Sequence, residues 1–325
     1  MTALLEIENI SKSFPVRAGL GGKARTLKAV DDVSLALNAG ETLGIVGESG
    51  CGKTTLARLV LRLLEPSRGQ IRFAGSDITH QPETSLRPLR AQLQVVFQDP
   101  YSSLNPRLRV RDIIGEPLRN LGWGRARIDT RVDEVLGIVG LPLEYAARYP
   151  HAFSGGQRQR IGIARALAPS PRMIVCDEAV SALDVSIQAQ ILNLMQDIQC
   201  RFGLAMLFIS HNLAVVRHVS HRIAVMYLGR VVELAAEPEL FAKPLHPYTV
   251  ALISAVPEPD PDARSTMLAL EGELPSPIDP PSGCHFHTRC PIARERCRSD
   301  APEFREAVPG RFARCHFPGE FEAPR

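Results

Sequence analysis

Residues 47–54 read Gly47-Glu48-Ser49-Gly50-Cys51-Gly52-Lys53-Thr54, a match to G-x-x-x-x-G-K-[ST], and Thr55 follows. An apolar run, Thr42–Val46, precedes the motif. After it, Leu56, Leu59, Val60, Leu63 and Leu64 share one helical face. A strand, a glycine loop and a helix in that order constrain the chain more than any other feature. The glycines let the backbone wrap an anion with successive N–H groups pointing inward, and the helix start adds the positive end of its dipole. In such a loop Lys53 is expected to reach the β- and γ-phosphates of a nucleotide, and the Thr54 hydroxyl to ligate Mg²⁺. Cys51 needs only to be small, so its expected role is structural.

Short, nearly continuous apolar runs recur at Leu93–Phe97, Met173–Cys176 and Ala205–Ile209, separated by helical segments. This predicts an α/β fold with a parallel sheet covered on both faces. Leu4–Ile10 alternates like a half-buried strand. Lys12–Lys28, with Gly19, Gly21 and Gly22 among basic residues, reads as a surface loop. Residues 99–168 are mostly helical and read as an inserted subdomain, and Ile223–Leu234 reads as a hairpin around Gly229. The texture then changes: 15 of the 26 prolines lie from Pro238 onward. A chain of 325 residues suggests two units, here 1–235 and 236–325. The proline-rich unit needs a staple. No run approaches the ~20 apolar residues of a spanning helix, and nothing at the N-terminus marks the chain for secretion. A net charge of +3 is too mild to point to nucleic acid.

Met173-Ile174-Val175-Cys176 ends in two acids, Asp177 and Glu178. Carboxylates at the tip of a buried strand are costly unless a cation or a reacting water uses them. Beside the glycine loop, Asp177 is the natural Mg²⁺ partner, and Glu178 is placed to orient or deprotonate an attacking water. Cys176 is expected in the core. Phe153-Ser154-Gly155-Gly156-Gln157 opens a helix running to Pro169, with Ser154 and Gln157 in capping-box spacing. A capped helix alone would account for these residues in isolation.

They are not isolated. Ser154-Gly155-Gly156-Gln157 between the glycine loop and the acid-tipped strand resembles the signature of ATP-binding-cassette (ABC) ATPases. The other markers fall in that family's order. Gln98 resembles the Q-loop glutamine, which touches Mg²⁺ or the attacking water. Ser181-Ala182-Leu183-Asp184 is similar to the D-loop, and His211 to the switch histidine that contacts the γ-phosphate. Phe14 is similar to the aromatic that stacks on adenine. The resemblance covers about residues 4–235. It implies a P-loop cassette with a RecA-like core sheet, an antiparallel β subdomain and the inserted helical subdomain.

The tail narrows the resemblance. Leu245-His246-Pro247-Tyr248-Thr249, Gly272-Glu273-Leu274-Pro275-Ser276-Pro277 and Pro280-Pro281-Ser282-Gly283-Cys284 resemble the C-terminal extension of dipeptide and oligopeptide importer ATPases. Asp177-Glu178-Ala179-Val180-Ser181 resembles the second of their two ATPase subunits. Cys284, Cys290, Cys297 and Cys315 crowd this tail. The resemblance implies a [4Fe–4S] cluster on these four, in a small Cys-rich domain. Spacing alone does not choose between a cluster and zinc, which His285, His287 or His316 could help bind.

With one cassette per chain, the resemblance implies a second ATPase subunit, two transmembrane permease subunits and an extracytoplasmic substrate-binding protein. The chain would sit peripherally on the cytoplasmic face of the inner membrane and use ATP with Mg²⁺ to energise peptide uptake. Nickel chelates or glutathione are alternative cargoes. A soluble non-transport cassette ATPase is a further reading, although two cassettes or a coiled-coil insert, usual in that class, are missing.

Overall fold

A computed structural model describes residues 3–17, 24–256 and 272–322. Among the described residues twelve strands run in chain order: β1 Leu5–Arg17, β2 Ala24–Leu37, β3 Thr42–Val46, β4 Arg68–Phe73, β5 Ser76–Asp77, β6 Leu93–Val96, β7 Met173–Asp177, β8 Ala205–Ser210, β9 Arg222–Tyr227, β10 Arg230–Ala236, β11 Arg305–Val308 and β12 Arg311–Ala313. They form a four-stranded antiparallel sheet, β2-β1-β4-β5, and an eight-stranded sheet, β11-β12-β10-β9-β3-β8-β7-β6.

The centre of the large sheet is parallel: β3 pairs with β8 and β9, β7 with β8, and β6 with β7. Its side chains alternate between two separate cores, as a period of two requires. Val46, Ile174, Cys176, Met206, Phe208, Val225 and Tyr227 face a core shared with the helices of 110–168. Leu43, Ile45, Met173, Val175, Leu207, Ile209 and Met226 face the other, which holds the helix Lys53–Val60 and the small sheet. The expected parallel sheet and helical insert are therefore present, the latter built on Val110–Asn120, Arg125–Ile138 and Gly155–Leu167.

Two expectations are corrected. Lys12–Lys28 is not a loop where it is described: β1 and β2 pair from Lys12↔Val30 through Phe14↔Leu27 to Arg17↔Ala24. Phe14 and Leu27 stand opposite each other and are half-buried, so the hairpin carries a narrow apolar stripe among its polar residues. Two of the three register shifts between β1 and β2 fall where Asn9 and Asp32 take positive φ and share a hydrogen bond of 2.9 Å. Gly19, Gly21 and Gly22 lie outside the described residues. The helix after the glycine loop stops at Val60, and Arg62 leaves it at φ 50° to hydrogen-bond the Ile78 carbonyl. Leu63 is consequently exposed rather than on the buried face.

The tail continues the large sheet. β12 pairs with β10 through Glu233↔Ala313 and Leu234↔Phe312. Glu233 is fully buried, and its carboxylate oxygens accept the backbone N–H groups of Leu245 and His246 at 2.7 and 2.8 Å. Burial pushes this carboxyl above the ordinary range. His246 Nδ1 then accepts from Tyr248 N–H and caps the helix Pro247–Ser254. A ring cluster follows, with Tyr227 4.8 Å from Tyr248 and 5.2 Å from Phe286, centroid to centroid.

Candidate active site

Parallel strands end at one edge of their sheet, where ligands of open α/β sheets bind. Register aligns the ends: Val46 pairs with Ser210, Asp177 with Ile209, and Val96 with Cys176. The glycine loop, the two acids, His211 and Gln98 leave from these strands and meet there.

The loop owes its shape to two glycines in particular. A Cβ on Gly47 would stand 2.1 Å from the Met226 carbonyl oxygen. Gly52, the residue before the helix, has φ 105° and would put a Cβ 2.2 Å from the Ala29 oxygen. Ser49 and Gly50 are exposed, and Thr55 is half-buried on the helix. Lys53 is buried and donates to the Gly47 and Glu48 carbonyls at 2.7 and 3.0 Å. Cys51 is buried, and burial raises its thiol pKa, which fits the structural role expected of it.

Thr54 Oγ1 donates to Asp177 Oδ1 at 3.3 Å. Burial pushes the Asp177 carboxyl above the ordinary carboxylate range, the Thr54 hydrogen bond opposes it, and the charge of Glu178 adds to the rise. Glu178 is clasped from two sides. Gln98 Nε2 donates to Oε2 at 2.9 Å, and His211 Nδ1 stands 3.3 Å from Oε1. Glu178 also has φ 51°, a left-handed conformation that a non-glycine residue adopts at a cost. Its N–H is held by the Ile209 carbonyl at 2.9 Å. Gln98, Asp177, Glu178 and His211, expected from three separate segments, are thus brought together with Thr54 from a fourth.

Ser154 caps the helix Gly155–Leu167, and the reciprocal Gln157 bond is present, so the capping box is real. Ser154 is exposed. Gly156 lets this turn lie against Ile187, whose Cγ2 a Cβ would meet at 2.6 Å, and Gly155 faces Leu183. Asp184 opens the next helix with no cap bond of its own and is exposed, as is Val185 at 82%. Phe14 sits on β1 opposite Leu27, with the Lys12 ammonium 5.3 Å from its ring centroid.

Cys284, Cys290, Cys297 and Cys315 line one small pocket with Phe286, Ile292 and Phe317. Burial pushes the thiols of Cys284, Cys290 and Cys315 up to about 11. All the cysteines are free. Among the described residues no group of three or more His, Cys, Asp or Glu is arranged to hold a metal ion. His287 and His316 direct a ring nitrogen at the carbonyls of Cys284 and Asp300.

Sequence reading missed the neighbours of Glu48. Arg289 grips its carboxylate and the Tyr248 hydroxyl accepts its N–H at 2.9 Å. The spacing between these residues carries no signal of either contact.

Comparison with known proteins agrees with the geometry. The ABC transporter family matches residues 30–181, and the oligopeptide/dipeptide transporter C-terminal region matches 232–297. The oligopeptide transport ATP-binding protein AppF of Bacillus subtilis is 54% identical over 96% of this chain and 97% of its own length. "Probable peptide ABC transporter ATP-binding protein y4tS" of Sinorhizobium fredii is 54% identical over 97% of this chain and 90% of its own. Among solved structures, the dimeric post-hydrolysis ATP-binding cassette MJ0796, bound to ADP and Pi, superposes with TM-score 0.63 at 26% identity. That match covers 72% of this chain and 98% of the other. No described helix is long and apolar enough to cross a membrane. The chain belongs to the ATP-hydrolysing subunits of ABC transporters, in the group that carries the oligopeptide/dipeptide C-terminal region.

Proposed function

We propose that this chain binds and hydrolyses ATP to drive import of dipeptides or oligopeptides through an ABC transporter, docked on the cytoplasmic face of the inner membrane. The observation that carries the reading is the convergence of Thr54 on Asp177, and of Gln98 and His211 on Glu178, at one sheet edge. Peptide cargo is supported by the tail match and by full-length relatives named for peptide transport.

In this reading Lys53 turns from the loop carbonyls to the phosphates, and Phe14 stacks on adenine. Thr54, Asp177 and Gln98 would hold Mg²⁺, which neutralises charge on the phosphate oxygens. Glu178 accepts the proton of the attacking water, oriented by Gln98 and His211. The exposed Ser154, Gly155–Gln157 turn and Asp184 complete the site of a partner cassette. ATP favours the closed pair and ADP does not, so hydrolysis releases it. The partner is a second ATPase subunit in a heterodimer, joined by two permease subunits and a substrate-binding protein.

Residues 1–235 form the cassette and 236–325 a Cys-rich extension fixed to its sheet. The extension holds a [4Fe–4S] cluster on Cys284, Cys290, Cys297 and Cys315. Their convergence on one largely apolar pocket supports this. Protein purified without oxygen should contain iron and acid-labile sulfide, and zinc without iron would overturn that assignment.

The test of function is uptake of labelled dipeptides and longer peptides by vesicles carrying the assembled transporter. Lys53→Ala should abolish ATP-dependent uptake. Peptide uptake indifferent to this change would sink the reading, and uptake of a nickel chelate or glutathione instead would replace the cargo.

A further inference from the structure

Arg289 Nη1 donates to Glu48 Oε2 at 2.9 Å and Nη2 to Oε1 at 3.1 Å, a bidentate fork that fixes direction as well as charge. The Arg289 side chain is 8% exposed, so water screens the pair less than it screens a surface ion pair. Further bonds hold the same loop residue, one of them from the Cys51 N–H to its carbonyl. The Glu48 N–H donates to Tyr248 Oη, and the Glu48 carbonyl also accepts from Lys53 Nζ. Every polar group of Glu48 is therefore engaged, its side chain and N–H by the tail. Arg289 directly precedes Cys290, and Tyr248 packs on Phe286, which lies between Cys284 and Cys290 with its ring 5.5 Å from that of Tyr248.

We infer that Arg289 is a positioning residue for the phosphate-binding loop: through Glu48, the cysteine-bearing tail sets the loop shape that meets the nucleotide. The inference rests on the reading that this loop binds ATP. A loop with glycine at 47, 50 and 52 has few side chains to fix it, and ordering it on binding would be subtracted from nucleotide affinity. Arg289 and Tyr248 order it during folding instead. Their loss should weaken binding of substrate and transition state alike, raising KM and leaving kcat at saturation. A pair that only anchors the tail would lower thermal stability and leave KM unchanged.

The test uses the assembled transporter with Arg289→Gln, Glu48→Gln, both together, Arg289→Lys, or Tyr248→Phe, which keeps the ring and removes the hydroxyl. MgATP hydrolysis is followed across ATP concentrations, and binding of a fluorescent ATP analogue is measured in parallel. Each glutamine variant should raise KM and Kd roughly tenfold, with kcat within about twofold of the wild type. The double variant should be no worse than the poorer single, and Arg289→Lys should recover part of the affinity. Unchanged KM, additive losses, or a fall in kcat alone would overturn the inference. Should the glutamine variants fail to fold, Tyr248→Phe and Arg289→Lys decide by the same readout. Absence of saturable binding in the wild type would refute the ATP reading itself, which Lys53→Ala calibrates.

Discussion

Gln98 and Glu178, 80 residues apart in sequence, are joined by a hydrogen bond of 2.9 Å from Nε2 to Oε2. The other oxygen of the same carboxylate faces His211 Nδ1 at 3.3 Å. One carboxylate thus ties the ends of three parallel strands, β6, β7 and β8. A displacement of the segment after β6, which leads into the helical insert, acts directly on the group proposed to activate water.

The base assignment can be tested by an isosteric change. Glu178→Gln keeps an oxygen for Gln98 and a side chain of the same shape, and removes the proton acceptor. Turnover should fall by about 10²–10⁴, the usual contribution of a positioned base. MgATP binding should persist, and the paired cassettes should accumulate in the closed form on size-exclusion chromatography. Hydrolysis within a few-fold of the wild type would remove Glu178 from the role.

The same residue should lower the stability of the chain. Its φ of 51° and the like charge of Asp177 beside it both oppose folding. Glu178→Gly permits this backbone conformation and removes the charge, so the variant should unfold about 1 kcal/mol later in chemical denaturation. It should also be inactive. A Glu178→Gly chain no more stable than the wild type would mean that the bonds to Gln98 and His211 outweigh the strain.

Strands β3, β7 and β8 were legible because each is a short apolar run buried on both faces and closed by a recognisable loop. The loop chemistry was legible because Gly47–Thr54 and Asp177-Glu178 are contiguous in sequence. Lys12–Lys28 misled because its basic residues and glycines obscure the β1–β2 pairing that makes it β. Leu63 misled because the helical period continues past the point where Arg62 turns the chain away. The pairing of β12 with β10 and the Glu48–Arg289 fork join residues far apart in the chain, and no local pattern encodes them.

Thiol reactivity gives an independent check on burial. Cys51 and Cys176 are at most 1% exposed, and burial raises both thiol pKa values, so they stay protonated where an unperturbed thiol near 8.5 begins to ionise. Cys200 is exposed on the helix Val185–Phe202. N-ethylmaleimide at neutral pH should therefore modify Cys200 first, with MgATP binding unchanged, and reach Cys51 and Cys176 only on unfolding. Peptide mapping that finds Cys51 modified in the folded chain would contradict the burial of its side chain within the loop.

Ser154 has two separable roles. Its Oγ accepts the Gln157 N–H and caps the helix, and as an exposed residue it is proposed to face the nucleotide of a partner cassette. Ser154→Ala should cost about 1 kcal/mol of stability through the lost cap and should also slow hydrolysis. Ser154→Asp separates the two effects, because aspartate caps as well as serine but carries a charge that repels phosphate. Stability should then return to the wild-type value while turnover of the paired cassettes falls roughly tenfold or more. Recovery of both stability and turnover in Ser154→Asp would show that the serine only caps its helix, and the second cassette would have to be completed by other residues.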